Sequence, residues 1–235
     1  MGLPKPIRPE YSTTIPSTGK KVKYQPFTVK QEKVLILAAE SQDQDEIVNA
    51  IVNVLSSCIT SPSDIRIEEL ALFDIEYLFL KARAKSVGEK IEVSITDPND
   101  ETFETLHSIY VDKIGVEKNE EHTDLVTLLE GTAVKMRYPD ISFFADGIQL
   151  NNITDSIKTI CRCIESVIID DEVYNSVDMS ANELEDWIED LTSDQFKKIN
   201  SFFETMPKLK HTVTIKNTNT NKDFKVTLEG LADFF

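Results

Sequence analysis

The chain has 235 residues, of which 40% are hydrophobic, enough to bury one medium-sized core or two small ones. Its 25 basic and 41 acidic residues give a formal net charge of −16. This balance argues against a nucleic-acid-binding protein, because neutralising phosphates requires clustered Lys and Arg. We also expect no membrane span and no secretory signal, since no apolar run is long enough for either.

The three cysteines, Cys58, Cys161 and Cys163, form no CxxC pair and have no histidine beside them. An odd number of cysteines without such spacing argues against a disulfide framework and favours a reducing cytoplasm. We expect all three to be ordinary core residues, the usual fate of buried cysteines. The three histidines are scattered along the chain, so the sequence predicts neither a metal nor a cofactor.

Residues 1–27 are basic and rich in proline. Five of the nine prolines fall within the first 26 residues, and residues 1–40 carry a net charge of +4, which leaves −20 for the rest. Proline at this density disfavours helix and predicts an extended arm. The arm is either a frayed terminus or a segment that orders on an acidic surface, of a partner or of this chain. Its candidate partner-binding residues are Lys20, Lys21 and Lys23.

Residues 28–88 are predicted to form a helical unit. Thr28 and Gln31 have the spacing of a capping box, and Asp43 opens a second helix with apolar residues at helical spacing. A third helix is expected over Phe73–Lys85, with glycine as its stop at Gly88. Apolar positions nearly encircle this third helix, so we expect it to be central to the N-terminal core.

In residues 89–140 the spacing of apolar residues changes from helical to alternating, which predicts a small antiparallel β insert. Apolar residues alternate with polar ones from Ile91 to Ile95, the pattern of a half-buried strand. A turn follows at Asp97–Asp100, and further extended stretches are expected over Phe103–Val111 and Ala133–Tyr138.

Residues 141–207 are predicted to be an acidic helical unit. Apolar spacing indicates a helix from Asn152 to about Ile169, and capping residues Ser180 and Thr192 start two more. From Glu165 to Asp194 there are eleven acidic residues and no Lys or Arg. This run is either a solvated face or an electrostatic docking surface for a basic partner. Within it, Trp187 is a candidate partner-binding residue.

Residues 208–235 are predicted to be a β-hairpin followed by an aromatic tail. Alternating segments flank the turn at Asn217–Asn221. Phe234 and Phe235 are costly to leave in water, so they either cover their own sheet or enter a partner's groove. Together these segments predict an α+β fold: an N-terminal helical unit, a small antiparallel β insert, and C-terminal helices followed by a β-hairpin.

Each catalytic or ligand-binding motif that the sequence suggests lacks a residue that its chemistry requires. Ser17–Lys21 ends like a phosphate-binding loop but lacks the upstream glycine. Asp97–Glu101 begins like a calcium loop, yet Thr102 occupies the position of the turn glycine. No catalytic triad pattern is present, so we expect a protein that is not an enzyme, with no catalytic residues. A hydrolase with dispersed carboxylates and an acidic mimic of nucleic acid remain open alternatives.

Three blocks of sequence resemble the baseplate hub protein family of T-even-type contractile-tail bacteriophages. They are Ile15–Leu35, Leu72–Glu89 and the closing Leu228–Phe235. The first two blocks are long and specific to the family, and the third is short. Because the blocks lie near both ends and in the middle, the resemblance covers the whole chain.

The resemblance implies a non-enzymatic baseplate hub subunit, or a hub assembly factor, whose partners are other hub or tail proteins. A tail assembly chaperone absent from the mature virion is the alternative. The implied location is the host cytoplasm during assembly and the virion tail baseplate, with no nucleic-acid or membrane partner. Some relatives carry a cysteine pair in the C-terminal hairpin that resembles a metal knuckle. Here Asn217–Lys222 contains no cysteine, so no metal is implied.

Overall fold

The computed structural model describes residues 6–145 and 153–230. The chain divides into two compact units: unit 1, formed by Met1–Glu117 with Lys208–Phe235, and unit 2, formed by Lys118–Pro207. Each combines helices with antiparallel sheet, which confirms the predicted α+β class. No helix in the described ranges is both long and apolar enough to cross a membrane.

The elements are numbered in chain order. The helices are α1 Val29–Ser41, α2 Gln44–Cys58, α3 Leu72–Ser86, α4 Ser142–Ala145, α5 Ile153–Cys163, α6 Ala181–Glu189 and α7 Ser193–Thr205. The strands are β1 Tyr11–Thr14, β2 Lys21–Tyr24, β3 Ile59–Ser61, β4 Lys90–Asp97, β5 Asp100–Tyr110, β6 Gly115–Glu117, β7 Leu125–Leu129, β8 Thr132–Met136, β9 Ile164–Ile169, β10 Glu172–Asn175, β11 Lys208–Lys216 and β12 Asp223–Glu229.

The predicted helix starts in unit 1 are confirmed at the level of single hydrogen bonds. Thr28 and Gln31 form the capping box of α1, and the Asp43 carboxylate accepts the backbone N–H of Glu46 at the start of α2. Helix α3 has nine of its fifteen residues buried, so the prediction that it is central to the N-terminal core is also confirmed. Gly88 follows it with a φ of 153°.

The basic N-terminal segment is extended, as its prolines predict, but it pairs within unit 1 instead of projecting as an arm. Strands β1 and β2 form a hairpin, and β3 adds a third strand to β2. Val22 and Tyr24 are buried on one face of β2, while Ile15 is buried at the turn. Gly19 adopts a φ of 70°, which allows the chain to reverse there.

The strands of residues 89–140 belong to three different sheets. Strands β4 and β5 pair with each other, β6 pairs with β11 of the C-terminal hairpin, and β7 and β8 join β9 and β10 in unit 2. An alternating pattern states which face of a strand is apolar, but it carries no information on which strand lies beside it.

The helix expected to reach Ile169 is wrong at its C-terminal end. Helix α5 ends at Cys163, and the chain passes directly into β9, which lies between β8 and β10. In β9, Ile164 pairs with Met136 and Val167 pairs with Val134. β-Branched residues at these positions gain cross-strand contacts in a central strand that a helix would not supply.

Each unit has its own core. In unit 1, α3 packs with strands from both chain segments; the core includes Leu80, Ile91, Val93, Ile95, Ile109, Val111, Ile114, Leu209, Val213, Ile215, Phe224 and Leu228. In unit 2, the inner face of the β7–β10 sheet packs with α5, α6 and α7; the core includes Val126, Leu128, Val134, Met136, Ile160, Ile164, Val167, Leu184, Ile188, Ile199 and Phe202. All three cysteines are buried and unpaired by disulfides, which confirms that they are core residues.

A fully buried asparagine joins two turns of unit 1. Asn217, at the end of β11, donates its side-chain amide to Asp97 at 2.7 Å and to Asp100 at 3.1 Å, in the β4–β5 turn. Its side-chain oxygen accepts the backbone N–H of Asn219 at 2.7 Å. The amide lowers the pKa of the Asp97 carboxyl by stabilising its charged form. The same side chain therefore orders its own turn and holds the neighbouring hairpin.

We expect Asn217→Ala to lower the free energy of unfolding by about 1–3 kcal/mol, because buried polar partners lose their hydrogen bonds. Asn219→Ala is the matched control, since Asn219 is exposed and its amide lies 3.4 Å from Asp100. Urea unfolding of both variants measures the difference. Equal unfolding midpoints for the two variants would contradict the assigned role of Asn217.

Candidate interaction surfaces

The candidate lysines of the N-terminal segment lie together in the β1–β2 hairpin. Lys20 and Lys21 are exposed, and neither forms an ion pair within the described chain. Lys23 pairs with Glu10 across 2.8 Å, and this contact raises the pKa of Lys23 and lowers that of Glu10. An exposed pair of this kind adds little stability. Lys20 and Lys21 are therefore the lysines of this hairpin that are open to a partner.

The tip that carries these lysines is tied to unit 1. The backbone N–H of Ser17 donates to the buried carboxylate of Asp74, on α3, across 2.9 Å. The backbone N–H of Ile15 donates to the carbonyl of Lys20 at 2.9 Å, closing the turn. The lysines thus stand on a turn whose position is defined by α3.

The acidic run of unit 2 is exposed almost throughout. Ten of the eleven carboxylates between Glu165 and Asp194 are exposed, and Glu185 is half-buried. The backbone and hydroxyl of Ser180 hydrogen-bond the Glu183 carboxylate and lower its pKa, in the capping box of α6. The one ion pair in the run joins Asp194 to Lys197 at 3.5 Å, in the described part of unit 2. Nearly all of this negative charge therefore faces solvent.

The aromatic candidates have different positions. Trp187, on α6, is half-buried and packs against the core of unit 2, beside the buried Leu184 and Ile188. Its partner-binding role stays a prediction, because much of its surface serves its own core. Phe234 and Phe235 lie outside the described residues.

Helix α1 exposes several apolar side chains. Only Ala38 of this helix is buried, whereas Val34, Ile36 and Leu37 are each more than 40% exposed. Val34 and Leu37 border an open groove against α2. Helical spacing indicates which residues share a side of a helix, but it does not state whether anything covers them.

Strand β10 is an exposed element that the sequence pattern assigned to neither a helix nor a strand. All four of its residues are exposed, including Val173 and Tyr174. A signal was present in the sequence, because Asp170 and Asp171 form a two-residue turn between apolar segments, and Asp tolerates the left-handed region that such turns need. Their φ angles are 47° and 68°.

The three thiols of the chain are buried in its cores, and His122 is half-buried and hydrogen-bonded on both ring nitrogens. Burial raises the pKa of Cys58 and Cys161 to about 11 and that of Cys163 to about 12, so their thiols stay protonated. His122 contacts the Thr205 hydroxyl through Nδ1 and the Tyr138 hydroxyl through Nε2, each at 3.0 Å. In residues 6–145 and 153–230, no group of three or more His, Cys, Asp or Glu could hold a metal ion.

The fold and these surfaces define an α+β protein that presents charged and apolar features to solvent. A family model described as T4 bacteriophage base plate protein matches residues 8–235, nearly the whole chain. The chain belongs to this family, and its role is a structural or assembly role in a phage baseplate. Comparisons with curated proteins and with solved structures gave no match.

The environment of His122 makes the stability of unit 2 depend on pH. The ring stacks on Tyr138 and lies 5.1 Å from the ring of Phe202. Desolvation lowers the pKa of His122 below its ordinary 6.5, although the charge of Asp124 opposes this. Between this lowered pKa and 6.5 the unfolded chain binds a proton that the folded chain does not, so the contribution to stability is complete above pH 6.5 and is lost as the pH falls through the lowered pKa.

We expect wild-type protein to lose more stability between about pH 7.5 and about pH 5.5 than His122→Gln, which cannot titrate. The acidic residues titrate in both proteins, so the difference between the two reports the histidine. Urea midpoints at both pH values measure it. Parallel loss in the two proteins would show that His122 titrates normally in the fold.

Proposed function

We propose that this protein is a non-enzymatic component of the phage baseplate hub, either a subunit or an assembly factor, and that it works through contacts with other hub or tail proteins. Membership of the baseplate family supports the setting. The burial of all three thiols and the double hydrogen bonding of His122 support a role in binding instead of catalysis.

The observation that carries this proposal is the unequal charge of the two units. Residues 118–207 have nineteen acidic and seven basic residues, a net charge of −12, whereas the rest of the chain has a net of −4. Lys20 and Lys21 project from the less acidic unit. An acidic surface attracts a basic partner, and a turn that carries lysines attracts an acidic one. Such attraction speeds the encounter of the partners, which suits a protein that contacts several others during assembly.

The subunit and the assembly chaperone differ in what becomes of the protein after assembly. A hub subunit stays in the mature virion at stoichiometric amounts, whereas a chaperone is present only with tail intermediates. Quantitative mass spectrometry of purified virions and of tail-assembly intermediates distinguishes the two. We expect the protein in at least one of these fractions, and its absence from both would overturn the baseplate hub proposal.

We expect the double variant Lys20→Glu and Lys21→Glu to weaken association with a hub partner by about tenfold or more, and raised salt to reduce the difference. Deletion of residues 1–27 would be a poor test, because it removes the buried Val22 and Tyr24.

The control variant is Lys222→Glu with Lys225→Glu, which makes the same change of charge at exposed positions of the β11–β12 hairpin. Co-purification of hub proteins with each variant from infected cells, quantified against wild type, measures the effect. Equal losses for both pairs would show that only net charge matters and would remove the β1–β2 hairpin from the mechanism.

A further inference from the structure

Strand β10 forms an open edge of the unit 2 sheet. In the order β10-β9-β8-β7, it has a strand partner on one side only. The opposite edge is different, because Lys198 of α7 donates its ammonium to the carbonyl of Leu128 in β7. Within the described residues, no element pairs with the outer side of β10.

The turn that precedes β10 defines which of its backbone groups face outward. Asp170 and Asp171 both have positive φ, so they form the two-residue turn in which the flanking residues, Ile169 and Glu172, are a hydrogen-bonded pair. Hydrogen-bonded and non-hydrogen-bonded pairs alternate along an antiparallel ladder. The N–H and C=O groups of Val173 and Asn175 therefore point away from β9, toward the open edge.

The edge also lacks most of the devices that natural proteins use to protect an exposed strand. Strand β10 contains no lysine and no proline, and its register with β9 has no bulge. Val173 is 58% exposed and Val177, just beyond the strand, is 84% exposed. Backbone donors and acceptors are thus accompanied by apolar side chains that a bound strand would cover.

The charge around this edge has one sign. Asp170, Asp171, Glu172 and Asp178 are all exposed. The β7–β8 turn lies beside the turn that precedes β10, because the N–H of Asp170 donates to the carbonyl of Gly131 across 2.8 Å. The exposed carboxylate of Glu130, in that β7–β8 turn, adds to the negative charge. A second copy of β10 would bring like charges together at this edge, whereas a basic strand would be attracted.

We propose that β10 binds an extended basic segment of another protein, which adds a strand to the unit 2 sheet through the backbone of Val173 and Asn175. The occupant alternates Lys or Arg with apolar residues, because the exposed valines lie among carboxylates. This inference names a docking surface for the proposed hub function and rests on it.

Peptides of about eight residues test the proposal with the full-length protein, at a length typical of a strand. One peptide alternates lysine and valine; a second has the same sequence with every backbone nitrogen methylated, so that neither of its edges can donate; a third replaces lysine by glutamate. Fluorescence anisotropy measures the binding of each. We expect the first to bind, the second to bind at least about tenfold more weakly because it loses ladder hydrogen bonds, and the third not to bind.

Val173→Pro is the matching variant of the protein, because it removes an outward N–H that the fold does not use. Val173→Thr keeps that N–H and is the control. We expect Val173→Pro to weaken the lysine–valine peptide by about tenfold or more and Val173→Thr to bind as wild type. Thermal unfolding checks that both variants fold. The double variant Glu172→Lys and Asp178→Lys tests whether the negative charge around β10 attracts the lysine–valine peptide, because it reverses two of these charges and leaves the backbone N–H groups in place.

Equal binding of the methylated and unmethylated peptides, or unchanged binding by Val173→Pro, would overturn strand addition. Equal binding of the acidic peptide would overturn the charge argument. The hub function can fail separately: peptide binding with no incorporation of the protein into virions or intermediates would remove the hub role. Normal incorporation of Val173→Pro would instead leave the hub role intact and remove β10 from it.

Discussion

The core of unit 1 is closed by residues from a distant part of the chain. Leu209, Phe224 and Leu228 of the C-terminal hairpin pack with Leu80 of α3 and with the inner face of β4 and β5. Strand β6 also depends on this return, because its pairing partner is β11. Residues 118–207 are thus an excursion between two halves of one core, and unit 1 is complete only when both segments are present.

This arrangement makes the polar contacts between hairpins as important as the apolar ones. Apolar packing favours burial but is non-directional, so it does not by itself determine how two hairpins align. Asn217 supplies that information, since its amide has defined acceptors on Asp97 and Asp100. A buried polar group with all of its partners present specifies one alignment and disfavours others.

The acidity of the chain acts on its surfaces more than on its cores. Most carboxylates of unit 2 are exposed, so solvent and salt moderate their mutual repulsion. The same charge discourages association of like edges, which is a hazard for a strand as open as β10. A negative edge can therefore discourage pairing between copies of the protein and still be compatible with the basic partner that we propose for β10.

Local sequence determined the features that depend on neighbours in the chain. The capping pairs at Thr28, Ser180 and Thr192 start α1, α6 and α7 because a cap involves residues only three positions apart. The C-terminal hairpin and the alternation in β4 were predictable for the same reason. The family resemblance was likewise readable from contiguous blocks, and the family match confirms its baseplate part.

Only the tertiary structure determined which apolar residues are buried and which elements they pack against. The run from Ile153 to Ile169 fits a helix by its spacing, but pairing of Ile164 with Met136 and of Val167 with Val134 makes its second part a central strand. Apolar side chains of α1 and β10, Val34 and Val173 among them, are exposed. Periodicity reports which face of an element is apolar, whereas burial depends on residues far away in the chain, and those distant contacts are absent from any local pattern.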